Sequence, residues 1–273
     1  MIASRDETRL GGAFARGRKA LVAYLMAGYP DPKTSLACVR AAADAGADLI
    51  ELGVPYGDPL ADGKVIREAG RAALARGFGL PEALKLAERL TSGTVTRPGQ
   101  DAERFPPLAL MTYYNPVLQY GLERAAADAR AAGVSGFIIP DLPPDAAADW
   151  LACSEGLDTV FLVAPTSTDE RIRKVVSLSS GFVYAVSSLG VTGERTAFSD
   201  ALPGLVERTK AVTDLPVAVG FGVADARKAA ESARLADGVV VGSAIVRRQG
   251  GPHPVEEVGA FVSELARAVH SAG

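Results

Sequence analysis

The chain has 273 residues, 48% hydrophobic and 22% charged, with a formal net charge of −3. These are ordinary values for a globular protein with ample apolar surface for one core. No lysine or arginine run marks a nucleic-acid surface, and no apolar window approaches the length of a membrane span.

Taken in order, the chain opens with Ser4-Arg5-Asp6-Glu7, which resembles a capping box, and with Leu10 and Phe14 on one face of a short extra helix. No apolar core with a small-residue cleavage site stands there. Apolar runs follow at Ala20–Met26, Asp48–Leu52, Leu108–Met111, Gly136–Ile139, Thr159–Val163, Phe182–Val186, Pro216–Val219 and Gly238–Val241. Helical segments lie between them. Asp31-Pro32 opens one that Gly46 closes, and Leu80-Pro81 opens another that fades at Gly93. Pro143-Pro144 starts a helix carrying Trp150 and stopping near Gly156. Ser167-Thr168-Asp169-Glu170 reads as a capping box for a helix ended by Gly181. The last helix repeats Val255, Val258, Phe261, Val262, Leu265 and Val269 along one face.

Strict alternation of strand and helix argues a parallel sheet, and eight such units suit an α/β (β/α)8 TIM barrel, typically about 250 residues long. A doubly wound sheet is the alternative, but Met26-Ala27-Gly28-Tyr29-Pro30-Asp31 lacks its glycine fingerprint. No linker divides the chain, so residues 1–273 read as one barrel domain. The polar stretch from Thr91 to Pro107 reads as a surface loop on the bottom face. Cys38 and Cys153 fall in helical patterns and fit a reducing, cytoplasmic setting.

In a barrel, chemistry gathers at the C-terminal strand ends. The second strand carries Glu51 where an apolar residue would pack, and Asp58 and Asp62 ride on the Gly/Pro-rich loop after it. Burial raises a carboxyl's pKa, so Glu51 reads as a tuned acid or base, or else as a salt-bridged residue at the loop rim. Asp141 stands at the exit of the fourth strand. Gly220-Phe221-Gly222 and Gly242-Ser243 follow the seventh and eighth strands, where barrels bind phosphate; the plainer reading is tight turns. Gly190 and Gly193 suggest a lid. Tyr24, Tyr113 and Tyr184 line an aromatic-accepting pocket or simply pack in the core. His253 and His270 both follow the last strand, which disfavours a histidine-based metal site or triad. Strand ends without lysine disfavour a Schiff base.

Glu51-Leu52-Gly53-Val54-Pro55, Asp58-Pro59-Leu60-Ala61-Asp62-Gly63, Pro140-Asp141-Leu142-Pro143, Gly190-Val191-Thr192-Gly193, Gly220-Phe221-Gly222 and Gly242-Ser243-Ala244-Ile245 together resemble the tryptophan synthase alpha subunit family along essentially the whole chain. The resemblance implies a lyase that cleaves indole-3-glycerol phosphate to indole and glyceraldehyde 3-phosphate. It implies no cofactor in this chain, and a beta subunit carrying pyridoxal phosphate that receives the indole in an alpha2-beta2 heterotetramer. It assigns Glu51 and Asp62 as the catalytic pair. Riding on what reads as a wetter loop, Asp62 is expected to stay ionised. Gly193, Gly222, Gly242 and Ser243 fall around the phosphate, Tyr24 and Tyr184 in the active site. Pro55, Asp58 and Asp141 face the beta subunit. Ser188 and Met26 depart from enterobacterial-type members, which carry arginine in the lid and often threonine at the second position.

Overall fold

The computed structural model describes residues 10–97, 101–186, 201–220 and 222–272. Eight parallel strands form the barrel: β1 (Ala20–Met26), β2 (Leu49–Gly53), β3 (Leu108–Met111), β4 (Gly136–Ile138), β5 (Asp158–Val160, resuming at Leu162–Val163), β6 (Val183–Val186), β7 (Val217–Gly220) and β8 (Gly238–Val241). The sheet runs from the first half of β5 through β4, β3, β2, β1, β8, β7 and β6 to the second half of β5. Only Phe161 separates those two halves, so the sheet closes on itself through one interrupted strand.

Each strand divides its side chains by alternation. Leu21, Ala23, Leu25, Ile50, Leu52, Leu108 and Leu110 point outward into the layer shared with the helices. Val22, Leu49, Ala109, Ile138, Val160, Ala218 and Val240, from seven of the strands, meet inside with Phe182, which directly precedes β6. Leu10 and Ala13 join that inner cluster from below, Phe14 packs on Phe182 with ring centroids 5.3 Å apart, and the Leu10 amide donates to Asp158 at 3.0 Å. The barrel base is therefore filled by the segment that precedes β1.

The surrounding helices are α1 (Pro32–Asp44), α2 (Lys64–Leu74), α3 (Leu80–Thr91), α4 (Tyr114–Tyr120), α5 (Leu122–Ala131), α6 (Ala148–Cys153), α7 (Asp169–Leu178), α8 (Ala201–Lys210), α9 (Ala226–Leu235), α10 (Ser243–Gln249) and α11 (Pro254–His270). Asp31 caps α1 by accepting from the Lys33 and Thr34 amides, and Gly46 makes the following turn at φ +109°. At the base, the buried Asp48 carboxylate accepts from the Leu21 amide at 2.9 Å and pairs with Arg18 at 2.8 Å and His270 Nε2 at 2.7 Å. That cluster ties the last helix to the first two strands.

Several local expectations are corrected. The described part of the N-terminal helix is a single 3-10 turn, Gly11–Phe14, and Ser4 to Glu7 lie outside the described residues. Pro143-Pro144 does not open one long helix. A 3-10 turn, Pro144–Ala146, precedes α6, with the Ala146 amide bonded back to the Pro143 carbonyl three residues earlier. The cap of α7 is Thr168, accepting from Arg171 N–H, while Ser167 Oγ accepts from Ala164 N–H. That helix ends at Leu178, and Gly181 serves the turn into β6 at φ +78°. Between Thr91 and Pro107 the chain is not plain loop: Thr94–Val95 pairs antiparallel with Glu103–Arg104, and the buried Arg97 donates to Ala47 O at 2.9 Å. Because Ala47 precedes β2, this hairpin does lie at the bottom of the barrel.

Candidate active site

Tyr24 and Glu51 sit opposite each other in the β1–β2 register and point into the barrel, one layer above the inner apolar cluster. Tyr184 reaches the same level from β6. Two strand glycines give these tyrosines room. A Cβ on Gly53 would overlap the Tyr24 hydroxyl, and one on Gly220 the Tyr184 hydroxyl. Gly220 is therefore a strand residue that clears space, while Gly222, at φ +65°, makes the turn beyond it.

Together with Asp62, Ile66, Met111, Gly222, Val223, Gly242, Ser243 and Ala244, these residues line a cavity of about 610 Å³, counted with its open mouth. Carboxylates stand on one side of it, and the turns after β7 and β8 on the other. Gly242 caps α10, whose first turn leaves the amides of Ser243 and Ala244 without helical acceptors.

Glu51 is only 3% exposed, and its Oε2 is fully buried with no hydrogen-bond partner. Burial, then the nearby Asp62 charge, pushes its pKa up to about 8. Asp62 corrects the sequence reading. It is 5% exposed rather than on a wet loop, because α2 starts directly after it and folds the loop end inward. Burial raises its pKa to about 6, while a hydrogen bond from Tyr113 and the Arg67 charge oppose that rise. Tyr24 and Tyr184 are held well above the usual phenol range by burial and by both carboxylates.

Tyr113 is a neighbour whose place the sequence left open. It continues the inward alternation Ala109, Met111, Tyr113, and its hydroxyl accepts from the Ala61 amide at 2.9 Å. On the outer face, Asp58 and Asp141 are exposed, and Leu60 is 74% exposed. Pro55 is not part of that surface. It is buried, packed close to Gly70 of α2. Gly193, Gly190, Ser188 and Phe221 lie outside the described residues. Among the described residues no group of three His, Cys, Asp or Glu side chains could hold a metal, and no helix is long and apolar enough to cross a membrane.

Comparison with known proteins agrees with this architecture. The family model described as tryptophan synthase alpha chain matches residues 12–268. The tryptophan synthase alpha chain of Mycobacterium marinum is 46% identical over 98% of this chain and 97% of its own length. That of Nocardia farcinica is 44% identical over 98% of both. A solved Mycobacterium tuberculosis tryptophan synthase superposes with a TM-score of 0.86 at 45% identity, covering 96% of this chain and 98% of the other. The alpha subunit from Legionella pneumophila gives 0.86 at 30% identity, covering 97% and 99%. With the match running through every barrel strand and through the Glu51–Asp62 loop, the chain belongs to the tryptophan synthase alpha chain family.

Proposed function

We propose that this chain, acting as one barrel domain, cleaves indole-3-glycerol phosphate to indole and glyceraldehyde 3-phosphate, with Glu51 as the proton carrier. The observation that supports this most directly is the buried Glu51 carboxyl, its Oε2 without a hydrogen-bond partner, lining the cavity with Asp62. A pKa of about 8 leaves Glu51 protonated at neutral pH, whereas about 6 leaves Asp62 mostly ionised.

The bond to be broken joins indole C3 to the glycerol chain. Glu51 gives its proton to C3, making the ring an iminium, and Asp62 accepts the indole N–H and steadies that positive charge. The Glu51 carboxylate then removes the proton of the adjacent chain hydroxyl. As the aldehyde C=O forms, the C3–C bond breaks and its electron pair returns to the ring, restoring neutral indole with the new hydrogen on C3. The Glu51 proton is regained, so the cycle consumes none. Tyr24 and Tyr184 pack the ring.

Gly193, Gly222, Gly242 and Ser243 hold the phosphate. The free first-turn amides of α10 and the turn at Gly222 support this placement, since remote phosphate binding aligns the ring without touching the reacting bond.

The alpha chains of this family work with a beta subunit. Here the exposed Asp58 and Asp141 form the partner face, and Pro55 supports the loop from beneath. The assembly is an alpha2-beta2 heterotetramer in the cytoplasm, with pyridoxal phosphate confined to the beta subunit. Measuring indole release from indole-3-glycerol phosphate, with and without a beta subunit of the family, tests the reading. Release that rises with the partner and vanishes in Glu51→Gln is expected. A wild-type chain that binds the substrate yet releases no indole under either condition refutes it.

A further inference from the structure

We propose that Gln249 is a positioning residue of this site, holding the phosphate-facing start of α10 at a fixed distance from Tyr24. The proposal rests on the reading above for what binds at each end, not for how the two ends are joined. A residue in a parallel strand sends both backbone bonds to one neighbour, and the side alternates along the chain. In β1 the odd-numbered residues serve β2: Leu21 O accepts from the Asp48 amide, and just past the strand the Ala27 amide donates to Gly53 O, both at 2.9 Å. The even-numbered residues face β8, beginning with the Ala20 amide, which donates to Asp237 O at 2.9 Å. The register of β1 with β8 stops at Ala23 and Val241, because the chain turns at Gly242 into α10. Met26 lies beyond that stop, its amide and carbonyl aimed where no strand continues.

Gln249, fully buried at the end of α10, supplies the missing pairing. Its Oε1 accepts from the Met26 amide at 3.0 Å, and its Nε2 donates to Met26 O at 2.8 Å and to Tyr29 O at 2.7 Å. A reversed carboxamide would set donor against donor and acceptor against acceptors, so the three bonds fix one orientation. Ser35 Oγ and the Tyr29 amide reach the Met26 carbonyl only at 3.4 Å. The same helix touches β1 twice more. Val246 packs with Tyr24 and Met26, and a Cβ on the capping Gly242 would lie 3.6 Å from the Tyr24 ring. Gln249 thus serves as a stand-in strand residue that sets where α10 lies along β1. With α10 go the Ser243 and Ala244 amides, and with β1 goes the Tyr24 ring.

The test compares one joined ligand with its two parts. In a Glu51→Gln chain, chosen to hold turnover down, binding of indole-3-glycerol phosphate, of inorganic phosphate and of indole is titrated by nuclear magnetic resonance, with and without Gln249→Met. Methionine keeps the bulk and loses all three bonds. It is expected to weaken the intact substrate roughly 10-fold and to leave inorganic phosphate and indole unchanged, since two sites joined by one ligand cooperate only at the right spacing. Gln249→Glu, kept protonated at pH 6 by burial, retains the acceptor and one donor. It should show a smaller loss of the same pattern, and it keeps the test decisive should the methionine variant fold poorly. Asp48→Asn, which loosens the barrel base, should leave all three affinities as they are. Equal weakening of all three ligands, no weakening of the intact substrate, or the Gln249→Met pattern in Asp48→Asn overturns the proposal. Absence of indole release by the wild type would instead refute the lyase reading and leave the binding comparison standing.

Discussion

Glu51 and Asp62 face one cavity from a strand and from the loop that follows it, and they keep unequal hold on their protons, about 8 against about 6. Each is buried, so desolvation raises both. The difference arises because Asp62 has a hydroxyl donor and a guanidinium nearby, while Glu51 Oε2 has no partner and feels the Asp62 charge. Two carboxyls separated in this way divide acid and anion between them near neutrality.

Activity should therefore follow a bell. We expect kcat/KM to rise as the pair loses its first proton near pH 6 and to fall as it loses the second near pH 8. In Asp62→Asn the acid limb should disappear, and the alkaline limb should move to lower pH because the repelling charge on Glu51 is gone. Steady-state rates across pH 5–10 check both limbs. A profile of wild-type shape in Asp62→Asn contradicts the assignment.

Glu51→Gln should remove nearly all turnover, a loss of about 10²–10⁴-fold, with substrate affinity preserved. Its stability should change with a definite sign. The folded chain holds the Glu51 proton up to about pH 8 against an ordinary 4.5, so wild-type stability is full below that lower value and declines as pH rises through the upper one. The glutamine variant lacks this decline. Denaturant unfolding should find the two chains similar at pH 4 and the variant more stable at pH 9, by on the order of 5 kcal/mol.

The glycines separate into two classes. Gly53→Ala and Gly220→Ala place a methyl where the Tyr24 and Tyr184 hydroxyls lie, so both should destabilise the fold by about 1–3 kcal/mol and disturb the ring pocket. At Gly242 a Cβ would stand 3.6 Å from Tyr24 and 3.7 Å from Ile66, which is ordinary contact. Gly242→Ala should melt close to wild type yet raise KM, if phosphate approaches that backbone. Thermal melts paired with substrate titration distinguish the classes.

At the opposite end, Asp48→Ala should cost roughly 3–5 kcal/mol, because it strips Arg18, His270 and the Leu21 amide of a shared acceptor. Hydrogen bonds and the neighbouring positive groups hold the Asp48 carboxyl below its usual 3.8, outweighing its burial. Its contribution is thus complete above that value and lost as pH falls through the lower folded one. Acid unfolding midpoints of wild type and Asp48→Asn should converge at low pH.

Much of this was readable from residues. The eight apolar runs became the eight strands because parallel strands buried on both faces need them, and alternation within β2 alone puts Glu51 on the inner face with Leu49. Less readable was whatever depends on three-dimensional closure. A loop rich in Gly and Pro looked wet at Asp62, but its end is drawn under α2. Tyr113 carried an inward alternation from Ala109, yet nothing in its neighbours along the chain names Asp62 as its contact. Pro55 stands in a surface loop but packs downward near Gly70. At Pro143-Pro144 the proline pattern fits an α-helix start, yet the chain makes a 3-10 turn before α6.

Leu10, Ala13, Phe14 and Phe182 close the base of the barrel. A closed base makes the molecule a cup instead of a pipe. Whatever is set free inside departs by the rim through which it came, past the loops that carry Asp58 and Asp141. If the beta subunit docks at Asp58 and Asp141 as proposed, escape and delivery become the same doorway, and that partner decides which of the two takes place.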